Sequence, residues 1–344
     1  MKNQASEDKT LPSSLHDPLR WGTVRPFKKT YNPIGIVLIV TSNSERVLEA
    51  AEESFGPYGQ VTDSIPAEIS IDLCEDTVFH QPGAFPAPCF RALGHLFHIS
   101  CGEGSFAIAD LKSGRAVGFV AREIIEDGSY FRNVFLECLF YVMAVHYRVT
   151  PIHAAAVVHQ KQGILIWGEP GAGKSTLAYA CAKAGFQLVS DDVVHLQADP
   201  TSGHLIGWGR PWQIRLLPDA GDIFPELADE VPRLRSDHQW YLEVDLRKRL
   251  PSSPLLWCRP SVLLFLRRSA AAGVRLELIE WQQALSILKK DIYLTEESVL
   301  DRHYSMLRNL VQINAFYLNY GGPPSRAVEI MKTICSVRDE NPSD

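Results

Sequence analysis

The stretch of this chain with the clearest chemical meaning is a glycine-rich octapeptide that ends in Lys-Ser. It runs from Gly168 to Ser175, reads GEPGAGKS and fits the pattern G-x-x-x-x-G-K-[ST]. Glycines let successive backbone N–H groups approach an anion without an intervening side chain. Lys174 can place its charge against phosphate oxygens, and the Ser175 hydroxyl can complete the shell of a Mg²⁺ ion. The spacing therefore predicts a site for ATP and Mg²⁺.

The flanking segments are those that such a loop requires. The apolar run 164–167 predicts a strand before it, and the small residues of 176–183 predict a helix after it, closed by Gly185. The N-terminus of that helix would direct its dipole at the bound anion. The residues expected to contact the nucleotide are Gly168, Gly171, Ala172, Gly173, Lys174, Ser175 and Thr176.

Two adjacent carboxylates follow the next predicted strand, 186–189, in the sequence Ser190-Asp191-Asp192. At the carboxyl end of a strand beside the loop strand, they would lie near the metal and the terminal phosphate of a nucleotide. One could hold the metal while the other accepts a proton from an attacking hydroxyl. Adjacent strand residues point to opposite faces, so both serve one site only if the strand has ended there. Otherwise one of the two is simply a turn residue.

His153 lies at the start of another predicted strand, 152–158. A lone histidine near a strand is more often a satisfied core residue than a functional one. The residues alone leave both readings open.

The elements that must position these groups divide the chain into three parts. The polar segment 1–33 predicts a flexible tail, 34–148 a small α+β domain that ends in a buried apolar helix at 130–147, and 149–344 the domain with the loop. In the α+β domain, Ser44 is expected to cap a helix, and 106–111 with 115–121 to form a hairpin. In the last domain, strands are predicted at 240–244, 262–266 and 274–279, and helices at 281–290, 296–311 and 325–336.

Composition narrows the class of protein. Of 344 residues, 46% are hydrophobic and 22% are charged, a balance typical of a folded domain. A net charge of −6 argues against a nucleic-acid partner. Seven cysteines without a CxxC pair argue against a disulfide framework and a zinc site. The longest apolar run, 134–145, contains Glu137 and is too short to span a bilayer. We expect a cytoplasmic protein without a membrane partner.

Three segments together resemble the kinase domain of the HPr kinase family. They are HAAA at 153–156, the octapeptide, and AKAGFQLVSDDVVHL at 182–196. The chain is similar in particular to the stand-alone HPr-kinase-like serine kinases, which include lasso-peptide precursor kinases. The detailed match covers residues 150–200, and a looser one extends to about 270. The resemblance implies an α/β phosphate-loop kinase domain of the HPr kinase and phosphoenolpyruvate carboxykinase type. It also implies ATP-dependent phosphorylation of a serine hydroxyl on a protein or peptide.

Carried over by position, the resemblance assigns Lys174 and Ser175 to the phosphates and Mg²⁺, Asp191 to the base, and Asp192 to the metal. It places His153 beside the transferred phosphoryl group. The division of roles between the two aspartates stays open.

The sequence departs from the bifunctional enzymes of this family at Thr176, where they have glutamate, and in lacking their glycine-rich phosphorolysis segment. These departures argue against phosphorolysis and against HPr as the acceptor, and whether any phosphorylase activity remains is open. Arg215 could reach the phosphates or the acceptor, or it could be an exposed strand residue.

Three functions stay open at this stage. The first is a kinase for a protein or peptide hydroxyl, the second is a kinase for a small molecule, and the third is a nucleotide-dependent switch or ATPase without an acceptor. The signatures LSGGQ and NKxD, expected of a transporter ATPase and of a GTPase, do not occur in the chain. The identity of the acceptor is open, and a homo-oligomer is among the alternatives for the assembly.

Overall fold

The computed structural model describes residues 22–59, 65–76, 87–199, 202–234, 239–269, 273–292 and 296–339. The fold is mixed α/β, and the strands of these residues form sheets of seven, six, four and three strands. The described residues belong to two compact units, one with 22–33, 37–59 and 68–140, the other with 34–36, 65–67 and 141–339. The division after residue 140 lies within an apolar helix, whereas the sequence predicted it at the end of that helix.

The first unit is built on the seven-stranded sheet, whose order is β1-β2-β3-β7-β6-β5-β4. Its strands are β1 Phe27–Tyr31, β2 Ile36–Ser42, β3 Ile65–Asp76, β4 Cys89–Leu93, β5 Leu96–Cys101, β6 Ser105–Asp110 and β7 Arg115–Ala121. The predicted hairpin is confirmed, because β6 and β7 pair antiparallel. Strand β1 corrects the prediction of a flexible tail, since it pairs along its length with β2. Residues 1–21 of that predicted tail lie outside the described residues.

Helical segments follow β2 and β7. They are α1 Glu45–Phe55, α2 Arg122–Glu126, α3 Gly128–Phe131 and α4 Cys138–Tyr147. The predicted helix 130–147 is present, and it contains a π-helical turn, Arg132–Glu137, between α3 and α4. Ser44 occupies the N-cap position of α1 without capping it through its side chain. Its hydroxyl instead donates to Glu75 Oε2 at 2.5 Å, a buried acceptor that competes with the helix end.

The second unit holds the remaining sheets. Its strands are β8 Thr150–Ile152, β9 Ala154–His159, β10 Gln162–Trp167, β11 Gln187–Ser190, β12 Val194–Ala198, β13 Leu205–Trp208, β14 Gln213–Leu216, β15 Arg233–Leu234, β16 Trp240–Asp245, β17 Trp257–Cys258, β18 Pro260–Arg268, β19 Gly273–Leu278 and β20 Asn314–Gly321. Its helices are α5 Lys174–Lys183, α6 Ala220–Ile223, α7 Leu246–Arg249, α8 Trp281–Leu288, α9 Glu297–Leu310 and α10 Pro324–Asp339. The late strands and helices predicted from the sequence are present, and β20 was not predicted.

The six-stranded sheet of this unit has the order β11-β9-β10-β18-β20-β19. Strands β10, β18 and β20 run parallel, and β9 runs antiparallel to both of its neighbours. The sequence placed the aspartate-bearing strand directly beside the loop strand. The structure corrects this, because β9 lies between β11 and β10.

Apolar side chains cover both faces of this sheet. On one face, Ile164 and Ile166 of β10 pack in a cluster with residues of α5 and α10. On the other face, Leu165 and Trp167 pack in a cluster with residues of α8 and α9. A strand buried on both faces needs a continuous apolar run rather than alternation, which explains the residues before the loop. Among the described residues, no helix combines the length and apolarity needed to cross a bilayer.

Candidate active site

The loop from Gly168 to Ser175 connects β10 to α5 in the strand, loop and helix order that the sequence predicted. Gly171 and Gly173 have φ angles of +79° and +92°, in the left-handed region that favours glycine. A Cβ at Gly173 would stand 2.9 Å from the Tyr320 hydroxyl, so a larger residue is excluded there for a second reason. The loop therefore turns its backbone tightly before α5 begins at Lys174.

Lys174 is almost buried, with 7% of its surface exposed. Its ammonium donates to the carbonyl oxygen of Gly168 at 2.8 Å, so the side chain folds back over its own loop. Burial lowers the pKa of Lys174, and the negative charges of Asp192, Asp291 and Glu169 act in the opposite direction. The ammonium is thus poorly solvated and has acidic neighbours at the mouth of the loop.

The two aspartates lie in the bend that follows β11, which ends at Ser190. The Ser190 hydroxyl donates to the carbonyl of Val193 at 2.7 Å and stabilises this bend. Asp191 Oδ2 accepts the backbone N–H of Arg215 at 2.8 Å, and the Ser175 hydroxyl donates to the Asp191 carbonyl at 3.4 Å. Because the strand has ended, both aspartates and Ser175 line the same cleft.

His153 joins this group from the position just before β9, which is the neighbour of β11 in the sheet. It lies between β8 and β9, and its Nε2 is 3.0 Å from Asp192 Oδ1. Since β9 runs antiparallel to β10 and β11, its first residues stand opposite the last residues of both: Ala154 pairs with Trp167, and Ala156 with Ser190. The inserted strand β9 therefore brings His153 to the carboxyl ends of the strands that carry the loop and the aspartates.

The two carboxylates differ in their electrostatics. Burial raises the pKa of Asp191 to about 6, and the Asp192 charge adds to this, while Arg215 acts against it. The hydrogen bond with His153 lowers the pKa of Asp192 and outweighs the effect of burial. Neighbouring acids whose environments push their pKa values apart are suited to different tasks. Asp191 has the character of a base that works near neutral pH, and Asp192 that of a permanent anion.

Asp291 is part of this site and was not predicted from the sequence. It lies in the 3₁₀ turn Lys289–Asp291 after α8. Its Oδ2 accepts the indole N–H of Trp167 at 2.8 Å and the backbone N–H of His153 at 3.3 Å. Burial raises its pKa, and the hydrogen bonds act against that change. Asp291 thus ties the end of β10 to His153, across separations in sequence that no local pattern reveals.

A cleft of about 500 Å³ opens beside the loop and the aspartates. Its lining combines acidic and basic side chains with apolar residues on one side of α4. The lining residues are Tyr141, Val142, Val145, Pro151, Ser175, Ser190, Asp191, Asp192, Val193, His195, Arg210, Gln213 and Arg215. The Arg215 guanidinium lies 5.6 Å from the centre of the Tyr241 ring, and its Nε lies 3.9 Å from Glu243 Oε2. Arg215 is therefore a half-buried lining residue that already has neighbours of its own.

The residues present fit a nucleotide with its metal. Hydroxyl and carboxylate oxygens, from Ser175 and Asp192, are the hard ligands that Mg²⁺ prefers, and Mg²⁺ commonly adds phosphate oxygens and waters to a few protein ligands. The left-handed glycines and the first turn of α5, which includes half-buried Thr176, offer backbone amides to an anion. In the described ranges, no group of three or more His, Cys, Asp or Glu residues forms a metal cage.

No family model and no curated protein matches this chain. Among solved structures, the HPr(Ser) kinase/phosphatase from Coxiella burnetii is similar to it, with 18% sequence identity and a TM-score of 0.32. That likeness covers 56% of this chain and 99% of the other. At this TM-score it assigns no activity, so the function has to be inferred from the site itself.

Proposed function

We propose that this protein transfers the γ-phosphate of ATP to a hydroxyl group, and that a serine of a protein or peptide is the acceptor. The observation that supports this most strongly is the single cleft shared by Ser175, Asp191 and Asp192. The serine that ends the phosphate loop, a carboxylate for a metal and a base for a hydroxyl then border the same cleft. Had the aspartates lain on the opposite side of the sheet from Ser175, this proposal would have no basis.

Each side chain has one task in the proposed reaction. On nucleotide binding, the Lys174 ammonium leaves the Gly168 carbonyl and turns to the phosphates, which relieves its poor solvation. Bound Mg²⁺ would neutralise phosphate charge as it develops. Ser175 and Asp192 would hold that metal, and His153 would keep Asp192 in place from beside the transferred group. Asp191, with a pKa of about 6, is ionised at neutral pH and can accept the hydroxyl proton.

A small-molecule acceptor is the second candidate, and one observation favours it. The cleft volume of about 500 Å³ lies within the range of about 300–1,000 Å³ that is typical of small-ligand sites. The third alternative, an ATPase without an acceptor, differs in its product, because it releases free phosphate at a useful rate in the absence of any partner.

Phosphate transfer from γ-labelled ATP tests the proposal. The full chain is incubated with ATP, Mg²⁺ and a lysate of the source cells, and labelled species are identified by mass. We expect a labelled peptide or protein. Replacing Lys174 by alanine should lower transfer by about 10³-fold, since it removes a charge directed at the reacting phosphate. The control is Lys248→Ala, which removes an exposed lysine outside the cleft.

Each result has a separate meaning. A labelled metabolite in place of a peptide would favour the small-molecule kinase, and free phosphate alone would favour the ATPase. If Lys174→Ala transfers phosphate as fast as the parent protein, the phosphate loop has no catalytic part and the proposal is wrong.

A further inference from the structure

We propose that the acceptor hydroxyl is carried on an apolar body, which packs in the cleft against one side of helix α4. This inference rests on the proposed function and names the class of substrate within it. It applies to a peptide whose serine has apolar neighbours and to a small apolar alcohol alike, and the experiment below separates the two sources.

One side of α4 forms a wall of the cleft. Tyr141, Val142 and Val145 line it and are half-buried, whereas Met143 and Ala144 between them are fully buried in the core. The spacing i, i+1, i+4 places the three lining residues on one side of the helix. Apolar side chains left partly uncovered beside a catalytic group are a surface that an apolar ligand can cover.

The end of this helix is held in place from within the second unit. The Arg302 guanidinium of α9 donates to the carbonyl oxygens of Val145 at 3.0 Å and His146 at 2.6 Å. These carbonyls lie in the last turn of α4, where helices lack internal partners. The wall is therefore anchored, so its shape can select among acceptors.

The two rings that pack together beside α4 are uncharged at neutral pH, although the cleft lining also includes Arg210 and Arg215. His195 stacks on Tyr141 with a distance of 4.6 Å between ring centres and an interplanar angle of 13°. Burial lowers the pKa of His195 to about 4, so the imidazole is neutral. Pro151 and Val193 extend the apolar lining. A charged acceptor body packed on Tyr141, Val142 and Val145 would lose hydration without gaining an opposite charge from these three side chains.

The wall is continuous with the candidate catalytic groups, because Ser175 and Asp191 line the same cleft. A hydroxyl at the Asp191 carboxylate leaves the rest of the acceptor in the space that α4 bounds. The cleft volume of about 500 Å³ suits a side chain with its neighbours or a small molecule. Arg215 is a charged residue of the same lining, and Glu243 and Tyr241 already lie beside it.

Synthetic acceptors of known structure can test this inference although the natural acceptor is not identified. Capped tripeptides Leu-Ser-Leu, Gly-Ser-Gly and Glu-Ser-Glu form the peptide arm, and 3-phenylpropanol and glycerol form the small-molecule arm. Phosphate transfer from labelled ATP gives kcat/KM for each. We expect the apolar member of at least one arm to exceed its polar counterparts by about tenfold or more, the selectivity that a few buried methylene groups supply.

Two variants connect that selectivity to α4. The double substitution Val142→Ser with Val145→Ser should reduce the ratio of apolar to polar kcat/KM to about twofold, since methyl groups are replaced by hydroxyls. Val231→Ser is the matched control, because Val231 is 79% exposed and lies outside the cleft lining. It should keep the full ratio. Because the ratio is measured within one variant, a loss of folded protein does not change it.

The outcomes separate this inference from the function on which it rests. Equal rates on all acceptors, a preference for Glu-Ser-Glu, or a ratio that survives the double substitution would overturn the apolar acceptor and leave phosphoryl transfer intact. ATP hydrolysis without transfer to either apolar probe would also contradict it. If neither hydrolysis nor transfer depends on Lys174, the proposed function fails, and the inference fails with it.

Discussion

Two clusters of charged side chains, one in each unit, differ in how far the fold provides partners for the charged groups. In the first unit, Glu75 is 8% exposed and accepts hydrogen bonds from Ser44 Oγ at 2.5 Å and Arg122 Nε at 2.6 Å. Burial alone would raise the pKa of Glu75, but these bonds outweigh it and hold the pKa below its usual value. The carboxylate is ionised because the fold has provided partners for it.

In the second unit, burial shifts the corresponding pKa values toward the neutral forms. It raises the pKa of Asp191 to about 6 and lowers the pKa of Lys174. These groups are thus less well accommodated as ions than Glu75 is. A structural cluster satisfies its own charges, whereas a site can leave them to be satisfied by a ligand. The comparison predicts that removing a charge costs stability in the first unit and activity in the second.

The largest effect is expected for Asp191→Asn. The amide keeps the shape of the side chain and can still accept the N–H of Arg215, but it cannot take a proton from a hydroxyl. Transfer should fall by about 10³-fold, within the range for loss of a general base. The melting temperature at pH 8 should stay the same or rise, because the variant no longer buries an anion. Initial rates with labelled ATP and thermal unfolding of the same samples measure both.

Asp222→Asn is the control for that substitution, since Asp222 is an exposed aspartate of α6 outside the cleft. It should change neither rate nor melting temperature. If Asp191→Asn instead keeps full activity, or if it unfolds the chain as a structural residue would, Asp191 belongs with Glu75 and the contrast between the clusters disappears.

For Glu75→Gln we expect a loss of stability without a loss of activity. It removes the charge that Arg122 contacts, and a charged hydrogen bond of this kind contributes about 1.5–3 kcal/mol. We expect the free energy of unfolding in urea to drop by about 2 kcal/mol. Phosphate transfer per folded molecule should not change. Glu126→Gln is the control, because Glu126 is 50% exposed and lies 3.9 Å from Arg46, so its ion pair is weak. A loss of catalysis without a loss of stability in Glu75→Gln would contradict the comparison.

The local part of the site could be predicted from the sequence because its signals are local. The octapeptide fixes its own turn through glycines, and the apolar run before it reflects a strand buried on both faces. The position of the aspartates after β11 follows from the end of the preceding apolar run. Such features depend on residues within a few positions of one another.

The remaining parts depend on distant contacts. Asp291 meets Trp167 across 124 positions, and nothing near Asp291 marks it. Strand β9 lies between β10 and β11 because of sheet pairing, which periodicity does not encode. Strand β20, NAFYLNYG, mixes polar residues with aromatic ones although most of it is buried in the sheet. Ser44 lost its capping role to Glu75, a partner 31 positions away.

The smallest expected effect is a difference between Asp191 and Asp192 in how they make activity and stability depend on pH. Asp191 must be ionised to act as a base, so kcat/KM should fall about tenfold for each pH unit below about 6. Its folded pKa lies above the usual value of 3.8, so the folded state binds this proton more tightly than the unfolded state does. The resulting stabilisation is complete below about pH 4 and is lost as the pH rises through 6. Relative to the parent, Asp191→Asn should gain about 1 kcal/mol between pH 5 and 7.

Asp192 should show the opposite sign, because His153 lowers its pKa. Its ionised form stabilises the fold above about pH 4, and this contribution is lost as the pH falls through the lowered pKa. Asp192→Asn should be less stable than the parent at neutral pH, and this deficit should disappear as the pH falls below about 4. Asp191→Asn should be more stable than the parent at neutral pH, and this advantage should already decrease as the pH falls below about 6. Thermal unfolding of both variants from pH 2 to 8 covers the range in which each carboxylate titrates and resolves the two trends. Identical trends would mean that the two carboxylates share one environment, and the assignment of base and metal ligand to different residues would have no electrostatic support.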